Sequence, residues 1–128
     1  MEGFIQVGSV ADVEPGTMRE FEVEQHRLLV ANVDGEYFVT DAHCAHLGGP
    51  LAKGELEGAV VTCPWHGSQY DVRDGSCLRW THWKGAVLTV AELTRHPRPI
   101  RAYESRVEDG TLFVGPQKPP GTAPDQGR

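Results

Sequence analysis

The sequence predicts an all-β domain of antiparallel strands, on two observations. Short runs rich in β-branched, aromatic and other apolar residues recur along the chain, each closed by turn residues: 4–7, 18–23, 28–33, 36–41, 59–62, 69–72, 101–107 and 111–114. The dipeptide Asp-Gly also stands between such runs three times, at Asp34-Gly35, Asp74-Gly75 and Asp109-Gly110, and both residues tolerate the positive φ of a tight turn.

Taken in chain order, Val33-Asp34-Gly35-Glu36 is the strongest hairpin signal and joins the runs 28–33 and 36–41. The runs 59–62 and 69–72 enclose a short segment with Pro64 and Gly67, a loop between two strands. From 80 to 99 the pattern loosens. Thr89 followed three residues later by Glu92 can cap one short helix through 93–96. Trp80 and Trp83 in that segment either close a satellite core or offer an aromatic docking surface, and packing is favoured because large aromatics are mostly buried. Past Val114 no large apolar residue remains, so 116–128 reads as a disordered tail rich in Pro and Gly behind a single domain at 1–115. No internal repeat is present.

A chain of 128 residues has room for one domain and a modest core. Its formal net charge of -6 argues against nucleic acid or an anionic membrane as partner, since both repel an acidic surface. No apolar run approaches the ~20 residues of a membrane span, and residues 1–4 carry neither a basic nor an apolar leader signal, so a cytoplasmic location is expected. Three cysteines leave one over from any pairing, and in that compartment thiols serve more often as ligands or small core residues than in disulfides.

The chemistry sits in two loops. Cys44-Ala45-His46 and Cys63-Pro64-Trp65-His66 each follow a predicted strand, so two thiols and two imidazoles stand on strand ends that can bring them together around a metal. Gly48, Gly49, Pro50, Pro64 and Gly67 give the tips the turns needed to fold back on such a site. A tetrahedral zinc ion could use the same donors, but zinc fingers run Cys, Cys, His, His, whereas the order here is Cys, His, Cys, His. His43 would point the other way along an extended strand end. His26, His82 and His96 have no partners at ligand spacing and read as surface or packed histidines. Cys77, after a turn, reads as a small apolar side chain.

These two motifs, with Leu47-Gly48-Gly49-Pro50 and Gly67-Ser68-Gln69-Tyr70 behind them, resemble the Rieske iron-sulfur family, and the likeness extends over roughly residues 3–115. It implies an antiparallel β-sandwich or barrel with a cluster-binding subdomain inserted at about 42–69. It also implies a [2Fe-2S] cluster with Cys44 and Cys63 on one iron and His46 and His66 on the other. Neutral imidazoles in place of two thiolates leave the oxidised centre without net charge, so an electron enters it more readily than in an all-cysteine cluster. Respiratory members of the family place a serine and a tyrosine at the positions of Ser68 and Tyr70, where the hydroxyls bond cluster sulfurs. Those members also have a disulfide whose two cysteines are replaced here by Gly49 and Trp65.

The implied function is that of a small ferredoxin, a one-electron carrier between a flavoprotein reductase and a terminal oxygenase, docking transiently through the histidine side. No Gly-x-Gly-x-x-Gly and no two-His, one-carboxylate set offers a second cofactor site, so the chain is expected to relay electrons and not to transform a substrate. The rival readings are a small electron-transfer subunit of a nitrite-reductase-like complex and, more remotely, a structural zinc module.

Overall fold

The computed structural model describes residues 4–43, 49–65, 67–79 and 99–118. Ten strands build two antiparallel sheets: β1 (Ile5–Ser9), β2 (Met18–Val23), β3 (His26–Val33), β4 (Glu36–Asp41), β5 (Glu55–Glu57), β6 (Val60–Thr62), β7 (Gln69–Asp71), β8 (Cys77–Arg79), β9 (Ala102–Glu108) and β10 (Thr111–Gln117). The larger sheet has the order β1-β10-β9-β4-β3-β2, and the smaller, β5-β6-β7-β8, is inserted between β4 and β9. The large sheet curls until its edges β1 and β2 meet, with Gly8 packed on the Phe21 ring, where a Cβ would stand 3.0 Å from the ring. The all-β expectation, a near-barrel with an inserted unit, is met. Among the described residues no helix is long and apolar enough to cross a membrane.

Three hairpins use two-residue turns with positive φ. Asp34 and Gly35 (54° and 91°) join β3 to β4, and Asp109 and Gly110 (52° and 77°) join β9 to β10, as their sequence signals. The third, between β2 and β3, has the same geometry at Glu24 and Gln25 (50° and 70°), which carry no turn signature. The left-handed region costs such residues roughly 1–2 kcal/mol each. Six consecutive pairs, from Met18↔Ala31 to Val23↔His26, offset that cost.

Strand β3 belongs to both cores. Leu28 and Val30 face the barrel interior with Val13, Val39, Leu112 and Val114, while Leu29 and Ala31 face the small sheet with Leu51, Val61, Tyr70 and Val72. A strand covered on both sides reads as a continuous apolar run, which is how Leu28-Leu29-Val30-Ala31 appears.

Three expectations need revision. Strands β5 and β8 lie outside the runs read from the sequence, being three residues each at the two edges of the small sheet, β5 as Glu-Leu-Glu and β8 as Cys-Leu-Arg. The inserted unit therefore runs past 69, since β7 and β8 belong to its sheet. The domain also continues beyond 115. A bulge between Val114 and Gln117 takes up Pro116, which has no N–H to give, after which Gln117 pairs with Tyr103 and the Lys118 N–H bonds the Ala102 carbonyl at 2.7 Å. The capped helix at Thr89 and Glu92, Trp80, Trp83, His82, His96 and the tail from 119 onward lie outside the described residues.

Candidate metal centre

The first loop leaves the barrel at the end of β4 and returns to it eight residues later. His43 and Pro50 form an isolated antiparallel bridge, and the Leu51 N–H bonds the Ala42 carbonyl at 3.0 Å, so the two stems of the loop are held side by side. Leu51, fully buried in the core under the small sheet, then anchors the returning stem in a 3-10 turn at Leu51–Lys53. Cys44 and His46 lie within this loop but outside the described residues, as does His66 in the second.

The second loop spans the gap between β6 and β7. It is closed at its base by the Cys63 N–H on the Ser68 carbonyl at 2.8 Å and by the Gly67 N–H on the Cys63 carbonyl at 3.1 Å, with Gly67 at φ 75°. Residues of opposite solvent preference sit two positions apart here: Cys63 is 3% exposed inside the core, while Trp65 is 53% exposed. Ser68, just before β7, and Tyr70, on it, are fully buried, Tyr70 in the same apolar cluster as Cys63. The structure thus brings Cys63, Ser68 and Tyr70 together at the base of the second loop.

The two loops touch. A Cβ on Gly49 would stand 2.5 Å from Cys63 Sγ and 3.2 Å from the Trp65 ring, so only glycine allows the end of the first loop to lie on the sulfur of the second. Gly54 packs as closely, since a Cβ there would stand 1.9 Å from the Thr62 carbonyl oxygen. The described residues suit one side of a metal group: a buried thiol, Cys63, with Gly49 at the end of the first loop packed on it, and further thiol and imidazole donors in the loop sequences. The Gly-rich tips carried a signal for turns; the close approach to Cys63 carried none.

A carboxylate network fixes the root of the first loop and was not legible in the sequence. Asp41, the last residue of β4, accepts bonds from Tyr103 Oη at 2.7 Å, Arg101 Nε at 2.9 Å and the Arg101 N–H at 3.2 Å, while its own N–H bonds the Arg101 carbonyl at 2.9 Å. Burial first, then the bond to the Asp41 carboxylate, push the Tyr103 phenol up to about 12. The same carboxylate raises the Arg101 guanidinium, through the hydrogen bond and then through its charge.

His43 is exposed, and His26 opens β3 on the surface. Cys77 packs against the core below the small sheet, as a small apolar side chain would.

The model of the Rieske [2Fe-2S] domain matches residues 3–97. The ferredoxin component of biphenyl 2,3-dioxygenase from Rhodococcus jostii (strain RHA1) is 40% identical over 70 residues, 55% of this chain and 65% of that protein. Ferredoxin CarAc of Metapseudomonas resinovorans is 28% identical over 116 residues, 90% of this chain and 95% of that protein. Among solved structures, the complex of reduced oxygenase and oxidized ferredoxin in carbazole 1,9a-dioxygenase contains a chain with a TM-score of 0.71 and 25% identity, over 93% of this chain and 99% of that one. Other curated relatives are much longer, and the match spans 11% of their length.

Proposed function

The chain belongs to the Rieske [2Fe-2S] domain family, and on that premise we propose that it is a ferredoxin, carrying single electrons from a flavoprotein reductase to a terminal oxygenase that performs the substrate chemistry. The observation that carries this reading is the match to a ferredoxin along 95% of that ferredoxin's length. The family's cofactor is a Rieske-type [2Fe-2S] cluster, which supplies a one-electron couple of roughly -150 to +300 mV.

The protein's own residues do the holding and the presenting. In this proposal Cys44 and Cys63 hold one iron and His46 and His66 the other, each loop giving one ligand to each metal. Cys63 is buried on the inner, sheet side, while Trp65, next to His66 in the sequence, is exposed. An exposed indole next to the point of electron exit suits a transient interface, which needs a small apolar centre and no deep interlock. The acidic surface suits a partner with a basic docking patch. The location we propose is the cytoplasm, where thiol ligands stay reduced and available to iron.

Electron relay measures this directly. The purified holoprotein, a flavoprotein reductase and a terminal oxygenase of the ring-hydroxylating type are combined with reduced nicotinamide, and turnover is followed with and without the chain. Turnover that depends on the chain and slows in Trp65→Glu, with an unchanged visible spectrum, supports the reading. A holoprotein that no flavoprotein reduces would remove it. Loss of bound iron in His46→Ala and Cys63→Ala tests the ligand set separately.

A further inference from the structure

One mouth of the barrel is open. The core residues Val23, Leu28 and Val114 form the floor of a cavity of about 700 Å³ between the β2–β3 turn, the end of β4, the start of β9 and the end of β10. Its volume is in the range that holds a small organic molecule, roughly 300–1,000 Å³.

Strand register decides which polar side chains share this mouth. Leu28 pairs with Asp41, Val23 with His26, and Gln117 with Tyr103, and residues two apart on a strand share a face. His26, Asp41, Arg101, Tyr103 and Gln117 therefore stand around the floor, all of them in the cavity wall. Arg27 is of the opposite parity and bonds Glu20 at 2.8 Å.

Donors exceed acceptors in this ring. The Asp41 carboxylate is already taken up by three bonds from Arg101 and Tyr103, whose phenol keeps its proton to about 12. Among the described residues Arg101 gives its Nε and backbone N–H to Asp41, and its side chain is 65% exposed, so its two terminal amino groups are accessible to a ligand. The amide of Gln117 and the imidazole of His26 add donors, and Glu24 is the one other carboxylate in the wall. A ligand must bring acceptors to the rim and an apolar body to the floor.

We propose that this barrel mouth binds a small organic carboxylate with an apolar body, the carboxylate on Arg101 with Gln117 and His26, and the body on Val23, Leu28 and Val114. The cavity adjoins the root of the first loop at Asp41, Ala42 and His43, and its ligand-binding argument is independent of the electron-carrier reading. Arg101, preset by Asp41, loses little side-chain freedom when it takes up the carboxylate.

Isothermal titration of the holoprotein with octanoate, below its micelle concentration, tests this, with octanol as the neutral control. One saturable site is expected for octanoate, with octanol at least about tenfold weaker, and Arg101→Gln is expected to weaken octanoate by about tenfold or more. Far-UV circular dichroism and the visible spectrum check the fold of that variant, and Gln117→Ala, which leaves Asp41 paired, gives a second reading with a smaller loss. No saturable heat with octanoate, equal binding of octanol, or unchanged affinity in both folded variants would overturn the proposal.

Discussion

Gly49 lies so close to Cys63 that a Cβ added to it would stand 2.5 Å from the sulfur. The sulfur cannot give way cheaply, because Cys63 is buried in the core, and the Trp65 ring stands on the other side at 3.2 Å. Gly49→Ala is expected to push the first loop away from the second, at an overpacking cost of about 1–3 kcal/mol. On the proposed ligand set, which is split between the loops, this variant should lose iron faster than the wild type on incubation with a chelator. Equal rates of loss would show that the loops tolerate the added methyl.

This contact also marks how far the sequence could be read. The hairpins at Asp34-Gly35 and Asp109-Gly110 and the alternation of apolar residues announce the barrel, because turn chemistry and burial are local properties. The Cys-x-His and Cys-x-x-His spacings mark two candidate metal loops for the same reason. What stayed hidden depends on residues far apart in the chain. Asp41 meets Arg101 and Tyr103 about 60 positions away, and Gly49 meets Cys63 only because both loops rise from one corner. The turn at Glu24-Gln25 was hidden differently: its shape is imposed by the β2–β3 ladder against the preference of its own residues.

Lys118 holds three elements at once, which makes the end of the domain testable. Its N–H bonds Ala102 at 2.7 Å, its Nζ bonds the Arg73 carbonyl at 2.9 Å, and the ammonium lies 5.4 Å from the centre of the Phe38 ring. These link β9, the turn after β7 and β4. A chain ending at Gly115 is expected to be about 1–3 kcal/mol less stable to urea than one ending at Lys118, from lost hydrogen bonds and the cation–π contact. Identical urea midpoints for the two would place the end of the cooperative unit before Pro116.

The Tyr103–Asp41 bond predicts a loss of stability at alkaline pH. The folded phenol sits at about 12, above the ordinary value of 10.0, so between the two values the folded state keeps a proton that the unfolded state releases. The contribution is complete below pH 10, and it is lost as pH rises through 12. Spectrophotometric titration of the phenolates, wild type minus Tyr103→Phe, should show one group titrating near 12. Urea melts should show the wild type losing more stability than Tyr103→Phe between pH 10 and 12. A difference titration centred near 10 would show that the carboxylate does not hold the phenol.

On the proposed ligand set, the expected reduction potential rests on Ser68 and Tyr70. Both are fully buried at the base of the second loop, and Tyr70 shares an apolar cluster with Cys63, a low-dielectric setting in which a hydroxyl bond to a cluster sulfur has its full effect. Such bonds draw electron density from the sulfurs and favour the reduced state, in which the added charge strengthens them. A net worth of about 1 kcal/mol per bond corresponds to about 40 mV for a one-electron couple. Against this stands the position of Gly49, where no side chain and hence no disulfide can tie the loops. Trp65, at the other matching position, offers no thiol either. The wild-type potential is therefore expected in the lower half of the family's range, about -150 to +50 mV. Tyr70→Phe and Ser68→Ala should each move it down by some tens of millivolts with the cluster's visible spectrum retained. Protein-film voltammetry of the three proteins checks both parts. A wild-type value high in the range would mean that the missing disulfide does not lower it, and variants that fail to move would remove the hydroxyls from the account.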